Sequence, residues 1–493
     1  MTHILTIDCG TTSTRALAFT LDGRIAAVAQ HPVTQRFPKA GWVEHDAAEI
    51  WALTKAAVDA VLAEVPDCAG IAITNQRETV VFWSRSSGEP LAPAIVWQDR
   101  RTADVTARLR SEGYEAQVQA ETGLLLDPYF SATKIAWALQ NCPEVRAAAD
   151  SGDLAVGTVD SWLVWKLTEG AEHLTDASNA SRTQLMTLQT GEWSAAMAEI
   201  FGVPQAVLPR IVATSGVCAH STLYDLPISG MAGDQQAATV GQGCLQPGLV
   251  KCTYGTGIFM LANAGAAPPA SCHRLLSTWL TEGHYALEGS IFVGGNAVKW
   301  LRDGLGILDA ASESESLAMS VSDSGGISFV PAFAGLGAPH WEPLARGLLT
   351  GITGGTTRAH IVRATLEAMG QQTADLLDAF AADGVVPKAI RVDGGMVANA
   401  WLCQDIADAT GLTVERPRCI ETTGLGAAML AAVGIGLFAD LQAAADAMVH
   451  ADVRFAPQQT AEMRHARRAS WKRAVEQTLA GLAPGRNAAS AAP

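Results

Sequence analysis

Asp8 and Asp234 each stand where a β-rich run gives way to small residues, a position from which a carboxylate can act on a phosphate or a hydroxyl. The first ends Ile4-Leu5-Thr6-Ile7 and opens Asp8-Cys9-Gly10-Thr11-Thr12-Ser13. A turn of glycine and small hydroxyl residues exposes successive N–H groups in a concave nest that suits phosphate oxygens. A carboxylate at the end of the preceding strand is placed to hold Mg²⁺ through water. A hairpin with a C-capping aspartate reads equally well from this turn alone. A second Gly-Thr turn, Tyr254-Gly255-Thr256-Gly257, lies 245 residues beyond the first (Thr11 to Thr256), close to half the 493-residue chain. Two phosphate turns so spaced are what a nucleotide clamp between two domains requires.

Asp234 follows Pro227-Ile228-Ser229-Gly230-Met231-Ala232-Gly233, a strand running into glycine. A carboxylate there can take a proton from an attacking hydroxyl and orient it in line with phosphorus; as an isolated feature it also fits a helix N-cap. Arg77-Glu78 suits a small polyol, glutamate accepting from adjacent hydroxyls while arginine donates, and its plain alternative is a surface ion pair. Trp97 and Phe259 are core aromatics or the apolar wall of the same pocket. Val392-Asp393-Gly394-Gly395-Met396 ends a strand in paired glycines, either a tight turn or an edge that a flat ring can approach.

Ile4–Ile7, Thr14–Phe19 and Ile25–Val28 predict three antiparallel strands that position these residues, with Asp22-Gly23 as a hairpin turn. Asp46 with Glu49 predicts a capping box and a helix to about Leu62, before a strand over 70–74. Helical patterns follow at 102–110, 131–139 and 160–167. The same plan restarts near residue 250, with strands 250–254 and 258–261, a long helix from Thr357, a strand 389–392, a helix 399–409 and a final helix from Gly424. The glycine-rich run 241–248 marks the boundary, giving domains 1–245 and 246–483 with a disordered tail at 484–493.

Bulk composition narrows the classes. The chain is 48% hydrophobic and 17% charged, ample for two cores. Its 34 basic against 49 acidic residues give a net charge of −15, which excludes a global basic footprint for nucleic acid or anionic lipid. Nine cysteines without a C-x-x-C pair imply reduced thiols, and no apolar run nears the roughly 20 residues of a membrane helix. The N-terminus lacks the basic and apolar regions of a signal peptide, so a cytoplasmic protein is expected. G-x-x-x-x-G-K-[ST] and a strand-following G-x-G-x-x-G are both missing, which disfavours P-loop and Rossmann enzymes.

Two long stretches then resemble the FGGY carbohydrate kinases, within the actin and heat-shock-chaperone ATPase superfamily. Gly347-Leu348-Leu349-Thr350-Gly351-Ile352, seven residues, and His360-Ile361-Val362-Arg363-Ala364-Thr365-Leu366-Glu367 fit the C-terminal signature; Tyr129 to Trp137 fits the N-terminal one, Ala138 departing from it. Gly41–Asp46, Ile73–Thr79, Ala94–Gln98, Asn179–Thr183, Ala232–Gln236 and Pro331–Pro339 are most similar to the glycerol-phosphorylating branch. The resemblance implies an α/β fold of two ribonuclease H-like (actin-like ATPase) domains with an active-site cleft between them. It implies ATP and Mg²⁺, glycerol as the small-molecule substrate, and a homodimer or homotetramer.

Carried over by position, Asp234 would be the general base and, with Asp8, would meet the metal. Arg77, Glu78, Trp97, Tyr129, Asp234, Gln235 and Phe259 would surround the polyol. Thr11, Thr12, Ser13, Arg15, Thr256, Gly295, Lys299, Gly395 and Asn399 would hold the nucleotide, Lys299 standing where the family often has glutamine. The loop 220–226 lacks the insertion that binds a sugar bisphosphate effector in some relatives. Competing expectations are an FGGY kinase of a tetritol, ketopentose or gluconate, and an actin-like ATPase whose output is conformational.

Overall fold

The computed structural model describes residues 2–481, so the tail expected at 484–493 lies outside the described residues. The first sheet is built from β1 (His3–Cys9), β2 (Ser13–Thr20), β3 (Ile25–Pro32), β4 (Cys68–Asn75), β5 (Ser215–Ser221) and β6 (Leu226–Gly233) in the order β5-β6-β4-β1-β2-β3. β1, β2 and β3 form an antiparallel meander, β4 and β6 join parallel to β1, and β5 closes the edge antiparallel. Helix α1 (Ala47–Glu64) follows the meander, and α2 (Asp234–Gly241) leaves directly from β6.

The second sheet repeats this plan. It contains β7 (Leu249–Tyr254), β8 (Ile258–Gly265), β9 (Leu276–Thr281), β10 (His284–Ile291), β11 (Ala389–Asp393), β12 (Val414–Pro417) and β13 (Ala451–Phe455), ordered β9-β10-β8-β7-β11-β12-β13. β7, β8 and β10 form the meander, β11 and β12 the parallel pair, and β13 the antiparallel edge. Only β9 has no counterpart. Helices α3 (Gly295–Asp303), α4 (Arg358–Ala382) and α5 (Ala400–Thr410) pack their apolar faces on it, and α6 (Thr422–Gly434) comes from the same half of the chain. The expectation of two ribonuclease H-like halves is met.

β1 shows how alternation fixes the site. Leu5, Ile7 and Cys9 join Ile50 and Val58 of α1 in one core, while Ile4 packs against Leu425 and Ala428 of α6 in another. A strand buried on both faces loses the strict alternation of apolar and polar residues, and in β1 only Thr6 and Asp8 interrupt the apolar positions from Ile4 to Cys9. Asp8 shares parity with Ile4 and Thr6, and Thr6 Oγ1 donates to Gly424 O at 3.3 Å, so Asp8 emerges beside the start of α6. α6, though late in the sequence, thus covers the first sheet. Its contact with α2 is backbone to backbone: a Cβ on Gly241 would lie 1.9 Å from Thr422 O, and one on Gly426 1.8 Å from Ala237 O.

Several expected bounds shift. Helix α6 starts at Thr422 rather than Gly424 and is not the last, since Leu441–Met448 and Ala461–Ala480 follow. The last of these buries only Trp471, Ala474, Val475 and Thr478, a stripe too narrow to give a clear helical period. Asp46 does cap α1, accepting from Ala48 N and Glu49 N, but Glu49 bonds Thr34 at 2.7 Å instead of closing the box. All nine cysteines are free thiols. Among the described residues no helix is long and apolar enough to cross a membrane.

Candidate active site

Of the residues expected around the polyol, Trp97, Tyr129, Glu78, Arg77 and Asp234 are linked by one run of contacts. Trp97 donates from Nε1 to Thr11 Oγ1 at 2.9 Å, tying the aromatic wall to the first turn. The Trp97 ring meets Tyr129 edge-on with centroids 5.5 Å apart, and the Arg182 guanidinium lies 5.4 Å from the Tyr129 ring. Arg182 Nε donates to Glu78 Oε1 at 2.6 Å. Arg77 Nε lies 3.9 Å from Glu78 Oε1 and 3.4 Å from Asp234 Oδ1. Gln76 Nε2 donates to Gly10 O at 3.1 Å.

The local sequence explains why these groups point inward. β4 ends at Asn75, whose side chain exchanges hydrogen bonds with Asn179 at 3.1 and 3.0 Å, so the chain turns sharply at Gln76. Glu78 sits at φ 62°, a region that non-glycine residues seldom occupy and that surrounding contacts must impose. That backbone sends its carboxylate to Arg182 while Ser131 Oγ takes its carbonyl at 3.0 Å.

Asp234 is the first residue of α2 rather than its N-cap: Gly233 holds the cap position, and Asp234 Oδ1 accepts from Gln235 N at 2.7 Å. Burial raises the proton affinity of Asp234 above the ordinary carboxylate value; Arg77 and Lys251 oppose this, and nearby Asp8 adds to it. Lys251, a buried lysine on β7, donates to Gln235 Oε1 at 2.5 Å, so Gln235 is held from the opposite lobe. Burial likewise raises Tyr129, with Glu78 contributing, so its hydroxyl stays a donor.

Asp8 Oδ2 is engaged by Arg15, its register partner across the hairpin, and Arg15 also donates to Glu421 at 2.5 Å. Burial raises Asp8 against the opposing Arg15 charge. No cluster of three or more His, Cys, Asp or Glu forms a cage among the described residues. A pair such as Asp8 and Asp234 suits Mg²⁺, which keeps several waters and shares its shell with phosphates.

The second turn is cradled by backbone. Gly294 N and Asn296 N donate to Thr256 O at 2.9 and 3.2 Å, and Gly295 N donates to Gly255 O at 2.8 Å. A Cβ on Gly295 would lie 3.0 Å from Met396 Sδ, and Gly394, at φ 92°, would put one 2.5 Å from Tyr254 O. Gly295, Thr256 and the Gly394-Gly395 turn are therefore neighbours. Asn399 caps α5 through Leu402 N at 2.8 Å, and Lys299 projects as an exposed side chain of α3. Thr12 is exposed and Ser13 half-buried on the first turn. Phe259, half-buried on β8 opposite Thr253 and Ser290, makes none of the aromatic contacts that join Trp97 to Tyr129.

Sequence reasoning missed Glu288, Arg182, Lys251 and Glu421 as parts of this site. Glu288 and Lys251 each interrupt apolar strands, Tyr285-Ala286-Leu287 and Leu249-Val250, and a charge in such a strand is the signal that was available.

Comparison with known proteins agrees with this geometry. The FGGY family of carbohydrate kinases matches through its N-terminal domain over residues 3–241 and its C-terminal domain over residues 250–435. A glycerol kinase of Aromatoleum aromaticum is 50% identical over 98% of this chain and 100% of its own length. The crystal structure of Plasmodium falciparum glycerol kinase with ADP superimposes with a TM-score of 0.93 at 35% identity, covering 97% of this chain and 98% of that one. A xylulose kinase from Rhodospirillum rubrum, at 26% identity, gives 0.88 over 97% and 99%. With both domains matched in order and the full length aligned, the chain belongs to the FGGY family of carbohydrate kinases.

Proposed function

We propose that this enzyme transfers the γ-phosphoryl group of ATP to a terminal hydroxyl of glycerol, giving sn-glycerol 3-phosphate and ADP. The observation that carries this reading is the joining of Arg77, Glu78, Asp234, Tyr129 and Trp97 into one polar cluster with an aromatic side, in a chain half identical to a glycerol kinase.

Asp234 accepts the hydroxyl proton as the oxygen attacks phosphorus; the new O–P bond forms while the bond to the β-phosphate oxygen breaks, and ADP leaves with that electron pair. Its raised proton affinity brings it closer to the working pH than an ordinary aspartate. Glu78, pinned by Arg182, accepts from neighbouring hydroxyls, Arg77 donates, and Tyr129 offers its O–H. A substrate lacking one of these hydroxyls leaves a buried group unpaired, a penalty of about 1–3 kcal/mol for each. The first turn meets phosphate through its N–H groups, Thr11 and Arg15, and the second through Thr256 and Gly295. Asp8 and Asp234 would hold Mg²⁺, which neutralises charge on the β- and γ-phosphates when bound. Gly395 and Asn399 border the adenosine.

A coupled assay at saturating Mg·ATP across glycerol, a tetritol, xylulose and gluconate tests the reading. Glycerol should have the highest kcat/KM; a higher value for a pentulose would reassign the substrate within the family. Solution mass decides between the dimer and tetramer expected from relatives.

A further inference from the structure

Glu288 lies in the middle of β10, in the second lobe, with 0% of its surface exposed. Its register partners are Leu261 on β8 and Leu276 on β9, and its chain neighbour Leu287 is in the apolar core. An isolated carboxylate in such a strand would be penalised by several kcal/mol, so its partners decide why it is tolerated. Both come from the first lobe. Arg77 binds it bidentately, Nη1 to Oε2 at 2.7 Å and Nη2 to Oε1 at 2.9 Å, and Arg182 Nη2 approaches Oε1 at 3.4 Å.

That fork has a geometric consequence. Both terminal nitrogens of Arg77 face Glu288, which leaves Nε for the pocket, 3.4 Å from Asp234 and 3.9 Å from Glu78. Charge-assisted N–H···O bonds normally close to about 2.7–2.9 Å, so Arg77 stands beside both carboxylates without locking onto either. Without Glu288, the guanidinium could swing its fork onto Asp234 or Glu78 and take up the lone pairs that a polyol hydroxyl needs.

We propose that Glu288 is a positioning residue for the polyol site: from the second lobe it clamps Arg77 so that its Nε edge, and the free oxygens of Asp234 and Glu78, face the substrate. The two lobes then build the glycerol pocket jointly, and lobe contact is part of glycerol recognition. This inference rests on Arg77 and Asp234 serving the polyol as proposed above.

The test is Glu288→Gln, which keeps the shape and removes the charge, with Glu288→Asp as the conservative rescue. A reorientation of this kind should raise the glycerol KM about 10- to 100-fold, since an ångström of misplacement is worth up to about 100-fold. The ATP KM should stay within about twofold, and Glu288→Asp should recover part of the glycerol affinity. An unchanged glycerol KM would overturn the proposal. So would glycerol and ATP KM values rising by the same factor together with a lower Tm, the pattern of a merely structural ion pair. If Glu288→Gln does not fold, the Asp variant is judged by the same two KM values. Wild-type enzyme inactive on glycerol would instead defeat the functional reading itself.

Discussion

The turn after β1 and the turn after β7 occupy the same place in their sheets, where the central strand folds back into its antiparallel neighbour. Each is closed by a backbone bond, Gly10 N to Ser13 O and Gly255 N to Gly257 O, both at 2.9 Å. Around the first turn stand Asp8, Arg15, Glu421 and, across the site, Asp234 and Arg77. Around the second stand Gly294, Gly295 and Gly394, of which the first two hold the turn by donating to Thr256 O and Gly255 O and all three allow close approach. One topology would thus give the proposed phosphate turns two different surroundings. The lobe that carries the proposed base needs side chains whose charge can be tuned, whereas holding a nucleotide needs only preorganised dipoles and space.

The contrast breaks most severely if Asp234 is dispensable. Asp234→Asn should lower kcat about 100- to 10,000-fold, the range for a general base. It should also raise Tm at pH 7. The folded carboxyl holds its proton more tightly than the unfolded value of 3.8, so its ionised form opposes folding above both values, and that opposition fades as pH falls toward 3.8. The Tm advantage of the variant should therefore shrink on acidification, measurable by calorimetry from pH 7 to pH 4.

Matched alanine substitutions sharpen the difference between the turns. A Cβ on Gly257 would lie 2.7 Å from Ile291 O, so the second turn must move, at a penalty of about 1–3 kcal/mol. Gly257→Ala should raise the ATP KM by at least about fivefold, the lower end of that range, and leave the glycerol KM unchanged. At Gly10 the nearest atom is Ser13 O at 3.3 Å, and Gly10→Ala should have a smaller effect on the ATP KM. Equal effects would show that the second turn is not the more backbone-dependent. The smallest change is expected from Trp97→Phe, which keeps an aromatic wall but loses the bond to Thr11. A net loss of about 0.5–1.5 kcal/mol should appear as a fewfold fall in kcat/KM for glycerol.

Much of the arrangement was legible in the chain because its signals are local. β1 is a short β-rich run with an aspartate near its end, the two Gly-Thr turns are short-range features that join β1 to β2 and β7 to β8, and Asp22-Gly23 joins β2 to β3. The aromatic and charged residues named for the polyol do meet, apart from Phe259, whose place on β8 is not joined to Trp97 and Tyr129 by ring contacts. Glu288 and Lys251 were not legible, because their partners lie 211 and 16 residues away and belong to the other lobe. A buried charge in a strand announces that it needs a partner, but not which one.

Residue order alone determined the hairpin that opens each half, the two small-residue turns and the carboxylates at the ends of their strands, since alternation and turn chemistry act over a few neighbours. Tertiary structure decided that α6, late in the chain, covers the first sheet, that glycines 241 and 426 let it touch the helix carrying Asp234, and that a second-lobe glutamate aims a first-lobe arginine. These depend on which surfaces meet once both sheets have formed. Burial then sets the strength of every charge between them.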